Sequence, residues 1–358
     1  MRTVYSSRGG KSVIAALLLL VISFVSNAVA ADTVVYEGKS GPGKGKHIVF
    51  LSGDEEYRSE EGLPQLAKIL ADRHGFKCTV LFAIDPADGT INPNKRDSLP
   101  GSEAIDSADV IVMLLRFRDW SDVDMKHFVD AYLAGKPIIA LRTSTHAFNY
   151  DDNPKSEYKK FSWTTKEWRG GFGKQVLGET WVNHWGRHKL EATRGVIEPS
   201  AKESPLLRGV TDLFADSDVY EAYPSPDATI LVRGQVLKGM QPSDPPAEYK
   251  KKRATDKEEQ GINEPMMAVA WTRLYRNEAG KTNKIFCTTL GAATDLKNES
   301  LRRLVVNAIY WGIGLDIPAK ANVDFVGDYN PTMYGFDGFK RGIKPSSLVG
   351  AQNSSSAR

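Results

Sequence analysis

From His47 onward, short all-apolar runs alternate with amphipathic stretches, and this alternation narrows the fold more than any other feature. A run buried on both faces and followed by a one-faced helix is the repeating unit of a sheet covered by helices. The chain therefore reads as α/β, with a mostly parallel sheet and helices on both faces. His47 to Ser52 predicts the first strand, and Glu61 to Arg73 a helix with Leu63, Leu66, Ile69 and Leu70 on one face. Phe76 to Phe82 and Ala108 to Leu115 predict two more strands. Ser121 predicts the N-cap of a helix reaching Gly135, with Asp122 and Asp124 complementing the helix dipole. Pro137 to Leu141 is the fourth strand; strand-like segments return at Val196, Ala228 to Val232, Met267 to Trp271 and Lys284 to Thr289, and a helix spans Leu301 to Trp311. No internal repeat interrupts this order, so a single domain with surface insertions is expected, covering 46–316.

Residues 1–30 have the pattern of a secretory signal peptide. Arg2, Arg8 and Lys11 precede an apolar run from Val13 to Val25, and Ala28 and Ala30 suit cleavage. The expectation is an exported chain, periplasmic or extracellular, with no stable membrane anchor after cleavage near Ala30. Without this segment Lys+Arg equals the 44 Asp+Glu, so nothing points to nucleic acid as a partner. Residues 31–45 read as a linker and Met240 to Glu264, rich in Pro, Lys and Glu, as a solvated excursion. Residues 317–358 read as an aromatic C-terminal extension whose last residues are disordered. Cys78 and Cys287 allow either one disulfide or two buried thiols.

Chemistry is expected at the carboxyl ends of the strands, where open α/β sheets place their ligand crevice. Strand one ends in Asp54, Glu55, Glu56, Tyr57 and Arg58; strand three in Arg116 and Arg118; strand four in Arg142, Thr143, Ser144, Thr145 and His146. Asp54, Glu56 and His146 are candidate acid/base groups. Arg58, Tyr57, Arg116, Arg118, Arg142, Ser144 and Trp185 are candidate substrate contacts, although at least two of the arginines are expected to pair with nearby carboxylates. His184 and His188, with His146 and Asp218, offer a ligand set for a divalent metal such as zinc that keeps an open position. Each histidine has the alternative of a hydrogen-bonded structural role. Trp163, Trp168, Phe172, Trp181 and Trp185 concentrate around Gly170-Gly-Phe-Gly173, as platforms for sugar rings or as packing. That glycine cluster is no dinucleotide fingerprint, and Ser144 lacks the flanking glycines of a nucleophile elbow.

Taken in order, several segments resemble the ThuA-like (trehalose utilisation) family of the class I glutamine amidotransferase-like superfamily. They are Ile48 to Gly53, Gly135 to Leu141 with His146, the His184/His188 region, Leu206 to Val210 followed by Asp218-Val-Tyr220, Val269 to Arg273, Thr288 to Gly291, and Arg303 to Trp311. The resemblance spans roughly Lys46 to Leu315 and implies a flavodoxin-like fold. It also implies a link to sugar utilisation, with His146, His184, Asp218 and the turn Asp54 to Glu56 as the matching positions. No cysteine stands at the strand end where the superfamily keeps its nucleophile, and Ala292 replaces the family's usual late histidine, so glutaminase activity is not expected. The expected function is carbohydrate metabolism, acting on a sugar or oxidised sugar by acid/base or metal-assisted chemistry. The alternative is a noncatalytic saccharide-binding or scaffolding protein. The expected partner is a small-molecule saccharide, and the expected state a monomer or homodimer.

Overall fold

The structure, a computed structural model, describes residues 1–4 and 32–349. The cleavage site expected near Ala30 and the chain end after Val349 lie outside the described residues. Residues from Asp32 to Val349 fall in one compact unit. No helix among the described residues is long and apolar enough to cross a membrane.

Ten strands form one mixed sheet. In chain order they are β1 (Thr33–Tyr36), β2 (His47–Gly53), β3 (Lys77–Phe82), β4 (Val110–Leu115), β5 (Ile138–Leu141), β6 (Thr193–Ile197), β7 (Phe214–Ala215), β8 (Thr229–Val236), β9 (Met267–Arg276) and β10 (Thr282–Thr288). Their spatial order is β1-β3-β2-β4-β5-β10-β9-β8-β6-β7. The central five, β3-β2-β4-β5-β10, pair in parallel, and every pairing outside them is antiparallel.

The apolar runs explain the centre. Successive side chains of a strand point to opposite faces, so a strand covered on both sides must be apolar throughout. In β2, Ile48 and Phe50 join the cluster that includes Leu63, Leu66 and Leu70 of α1 (Ser59–His74) and Leu301, Leu304 and Ile309 of α3 (Glu299–Ile313). Val49 and Leu51 join the other cluster, with Met125 and Phe128 of α2 (Asp122–Leu133). Ser121 caps α2 as expected, its hydroxyl accepting from the Asp124 backbone N–H at 3.2 Å. Cys78 and Cys287 are both buried and free, so the disulfide alternative is not realised.

Two segments depart from the sequence reading. The supposed linker carries β1, which pairs antiparallel with β3 and closes one edge of the sheet. The supposed solvated excursion forms a hairpin, Lys250–Lys252 with Glu259–Gly261, that packs onto the body of the protein. Lys251 Nζ donates to the His184 and Trp185 carbonyls at 2.7 and 2.9 Å, and Trp185 Nε1 donates to Ile262 O at 2.7 Å. Lysine does this because its aliphatic stem can lie along an aromatic surface while the ammonium reaches a polar group.

The irregular segment 148–182 leans on the strand ends through Gly173. A Cβ there would stand 1.8 Å from the Thr145 carbonyl oxygen, next to His146. Gly173→Ala is therefore expected to cost about 1–3 kcal/mol by overpacking and to displace the turn that carries His146. Thermal unfolding measures the loss, and a melting temperature equal to that of the wild type would contradict the close approach.

Candidate functional site

The carboxyl ends of β2, β4, β5 and β10 deliver four turns to one edge of the sheet. They are stitched together by backbone hydrogen bonds, from Arg116 N to Gly53 O, Phe117 N to His146 O, Arg142 N to Leu290 O and Ala293 N to Tyr57 O. Arg58, Phe117 and Arg142 sit in these turns with φ of 59°, 53° and 43°, and Lys189 beside His188 has φ 62°. A left-handed backbone on non-glycine residues costs free energy and clusters where a site requires a fixed geometry.

Asp54 organises the first turn. Its buried carboxylate accepts from the backbone N–H groups of Glu56 and Tyr57 and from the Thr143 hydroxyl. Burial, with the charge of Glu55, lifts its pKa to about 6 against those hydrogen bonds. It exposes no surface to a substrate, so the acid/base role expected of Asp54 is not supported.

The arginines divide by burial. Arg118 is fully buried and donates to Glu55, to Arg116 O and to Pro93 O. Arg58 is buried and donates to Glu56 O and Gly335 O, tying the C-terminal segment to the first turn. Arg142 is buried and donates to Asp218 O at 2.7 Å, Asp218 Oδ1 at 2.9 Å, Thr289 O at 2.6 Å and Tyr57 Oη at 3.1 Å. All three are structural rather than substrate contacts. Arg116 alone stays partly open, 19 % exposed, paired with Glu55. Ser144 is also buried, donating to Met113 O and accepting from Leu115 N, and Trp185 is buried against the hairpin. Both side chains are closed to solvent.

The centre of the site is Asp218. His184 Nδ1 lies 2.8 Å from its Oδ2 and His188 Nδ1 3.0 Å from its Oδ1, while His188 Nε2 lies 3.1 Å from Glu56 Oε1. Burial alone would lift the Asp218 pKa, but the Arg142 charge and the two imidazoles hold it well below the usual carboxylate range. An ionised carboxylate only accepts, so both Nδ1 atoms carry protons. Glu56 is likewise lowered; burial pushes it up and the hydrogen bond and charge of His188 outweigh that. His188 thus donates from both nitrogens and is an imidazolium; burial lowers its pKa, yet Asp218 and Glu56 together push it up to about 9. His184 is 33 % exposed, and its Nε2 has no hydrogen-bond partner among the described residues.

His146 stands apart. It is buried, its Nδ1 lies 3.1 Å from Thr145 Oγ1, and burial, then the charges of Arg116 and Arg142, hold its pKa well below the ordinary value, so it is neutral. Its ring contacts Phe117 (centroids 5.1 Å apart) and Trp181 (5.2 Å), and Trp181 in turn meets His184 at 4.9 Å. The sequence reading gave no role in the site to Tyr220 or Tyr334. Tyr220 lies 3.8 Å from the Arg142 guanidinium, and Tyr334 stacks on Tyr57 at 5.0 Å and faces His188 at 5.5 Å. Neither lies in a periodic segment that would have marked it.

The donor atoms of His184, His188 and Asp218 lie within 4.8 Å of one another, and His146 is not among them, which removes it from the expected metal set. Three donors suit a metal that keeps an open position, and the Glu56 contact on His188 Nε2 is the outer carboxylate such ligands favour. Binding would require both Nδ1 protons to leave.

No protein-family model matches the chain. No curated protein matches it. Among solved structures it is similar to a thua-like protein from Bacteroides uniformis, 15% identical, covering 78% of this chain and 94% of that one at a TM-score of 0.46. A thua-like protein from Parabacteroides merdae is 10% identical and covers 76% and 92% at 0.44. The mmIFT52 N-terminal domain, 10% identical, covers 76% and 100% at 0.40.

Two predictions follow from the charges. A group whose pKa rises on folding stabilises the protein most below its unfolded value and loses that contribution as pH rises through the folded value. His188→Gln should therefore cost most stability below the ordinary 6.5, with the gap to wild type closing as pH passes about 9. Urea unfolding across that range tests it, and a pH-independent gap would contradict the imidazolium. Arg142→Met strands the buried Asp218 charge and should cost about 3–5 kcal/mol, read as a lowered urea midpoint; an unchanged midpoint would contradict the buried pair.

Proposed function

We propose that this is an exported ThuA-like protein of carbohydrate metabolism, which moves a proton on a sugar or oxidised sugar held at the carboxyl edge of the sheet. Numbered among themselves in chain order, the five parallel strands run 2-1-3-4-5, the order of a flavodoxin-like sheet. The crevice of such a sheet opens at its switch point, here between β2 and β4, and the turns carrying Glu56 and Arg116 stand there.

The observation that carries the reading is the His184–Asp218 pair. Asp218 fixes the Nδ1–H tautomer of His184 and leaves Nε2 free to accept a proton from substrate, returning it later as a general acid. Asp218 also stabilises the imidazolium formed in between, and Arg142 keeps Asp218 ionised throughout. His188 is already protonated and cannot serve as base. Neutral His146, whose ring also meets Trp181, supplies a second imidazole. Glutaminase chemistry lacks a nucleophile, because both cysteines are buried within strands β3 and β10.

A second reading places a divalent metal such as zinc on His184, His188 and Asp218; the Glu56 contact to His188 favours it. A metal there would polarise a sugar oxygen or activate water. Elemental analysis of protein purified without a histidine tag separates the two. Proton transfer by His184 expects no stoichiometric metal, and stoichiometric zinc that is lost in His184→Ala would replace it with the metal reading.

Turnover of a panel of glucosides and their oxidised forms tests the activity itself. His184→Ala should lower kcat by at least about 100-fold, the scale of a lost general base. Sugar binding without turnover would leave a noncatalytic saccharide-binding protein, and neither binding nor turnover would overturn the carbohydrate reading.

A further inference from the structure

The C-terminal segment 332–337 belongs to no sheet, yet it is fastened to the site at several points. Gly335 N donates to Glu56 O at 2.8 Å, Arg58 donates to Gly335 O, and the Tyr334 hydroxyl donates to Asp216 O at 3.1 Å. Thr332 N donates to Glu61 Oε2 at 3.0 Å, fixing the segment onto the first turn of α1.

These attachments place two aromatic rings beside the imidazoles. Tyr334 is buried and closes the side of His188. Phe336, two residues on, is 56 % exposed, and its ring lies 5.0 Å from the Arg116 guanidinium. Arg116 rests on Phe117 at 4.3 Å, and Phe117 leads to His146. From His146 the contacts pass through Trp181 to His184 and then to His188, whose ring is 4.6 Å from that of His184. The side chains thus form a closed circuit, and the C-terminal segment is the link that closes it.

Within this circuit Phe336 is the most exposed aromatic, and its ring lies against the partly exposed Arg116. A large exposed apolar ring beside a cation, on a segment anchored by main-chain bonds, suits a ligand with one C–H face and a rim of hydroxyls. We infer that Phe336 is a specificity-determining residue, the platform on which the apolar face of a pyranose ring stacks while Arg116 meets its hydroxyls. The inference rests on the carbohydrate reading of this site and names the residue that selects for a pyranose there.

Calorimetric titration of the full chain with glucose, trehalose, maltose and cellobiose tests it, comparing wild type with Phe336→Ala and Phe336→Trp. Phe336→Ala should raise Kd about three- to tenfold, the scale of one lost aromatic contact. Phe336→Trp should hold or improve affinity, and both variants should keep the wild-type circular dichroism because the ring is mostly in solvent. Wild-type affinity in Phe336→Ala would overturn the inference and leave the carbohydrate reading intact. Absence of binding to every sugar by the wild type would overturn both.

Discussion

The buried pair of Arg142 and Asp218 is the constraint around which the site is arranged. Neither side chain reaches water, so the pair is tolerable only because its polar atoms are largely engaged elsewhere. The guanidinium binds two carbonyls, a carboxylate oxygen and a phenol, and lies between the rings of Tyr220 and Tyr57, at 3.8 and 4.6 Å from their centroids. These partners come from the β2 turn, the end of β10 and the loop before Glu221, so one side chain from the end of β5 joins segments far apart in sequence. The positive φ of Arg142 is part of the same device, because it turns the chain at the point where the strand stops and aims the side chain under the site.

The strands were legible because a segment buried on both faces leaves no room for polar residues, and β2, β4 and β5 are apolar almost without break. The polar strand ends were legible as a place but not as a set of roles. Arg58, Arg116, Arg118 and Arg142 look alike in sequence, and only the neighbours brought by other segments separate three buried braces from one open side chain. Ser144 illustrates the same limit: it stands at a strand end where a nucleophile could be, yet its hydroxyl bridges Met113 and Leu115. Short edge strands such as Thr33–Tyr36 carry too few residues to establish a period, and the lysine-rich hairpin hides its packing because Lys251 turns its ammonium inward onto two backbone carbonyls.

A four-residue spacing such as that of His184 and His188 places two side chains on one face of a helix, but the chain there is a short strand pairing Asn183–His184 with Tyr220–Glu221, followed by a turn. The pairing brings Asp218, just before Tyr220, beside both rings. A Cβ at Gly186 would meet the Asp218 side chain at 3.4 Å, an ordinary contact, so the pairing does not depend on the glycine. The close placement of the two histidines therefore arises from strand pairing and the turn after it.

Two imidazoles on one carboxylate are not equivalent, and the difference lies in what each second nitrogen meets. His188 is held from both sides by Glu56 and Asp218, so its proton is retained and its positive charge is a fixed part of the site. That charge, with Arg142, balances Asp218 and Glu56 and lets two carboxylates sit close together. His184 shares only Asp218 and turns its free nitrogen outward beside Trp181. The ionised Asp218 faces the imidazole of His184, whose ring stands 4.6 Å from the charged ring of His188. One carboxylate thus orients both rings, holding a fixed charge on His188 and a single tautomer on His184.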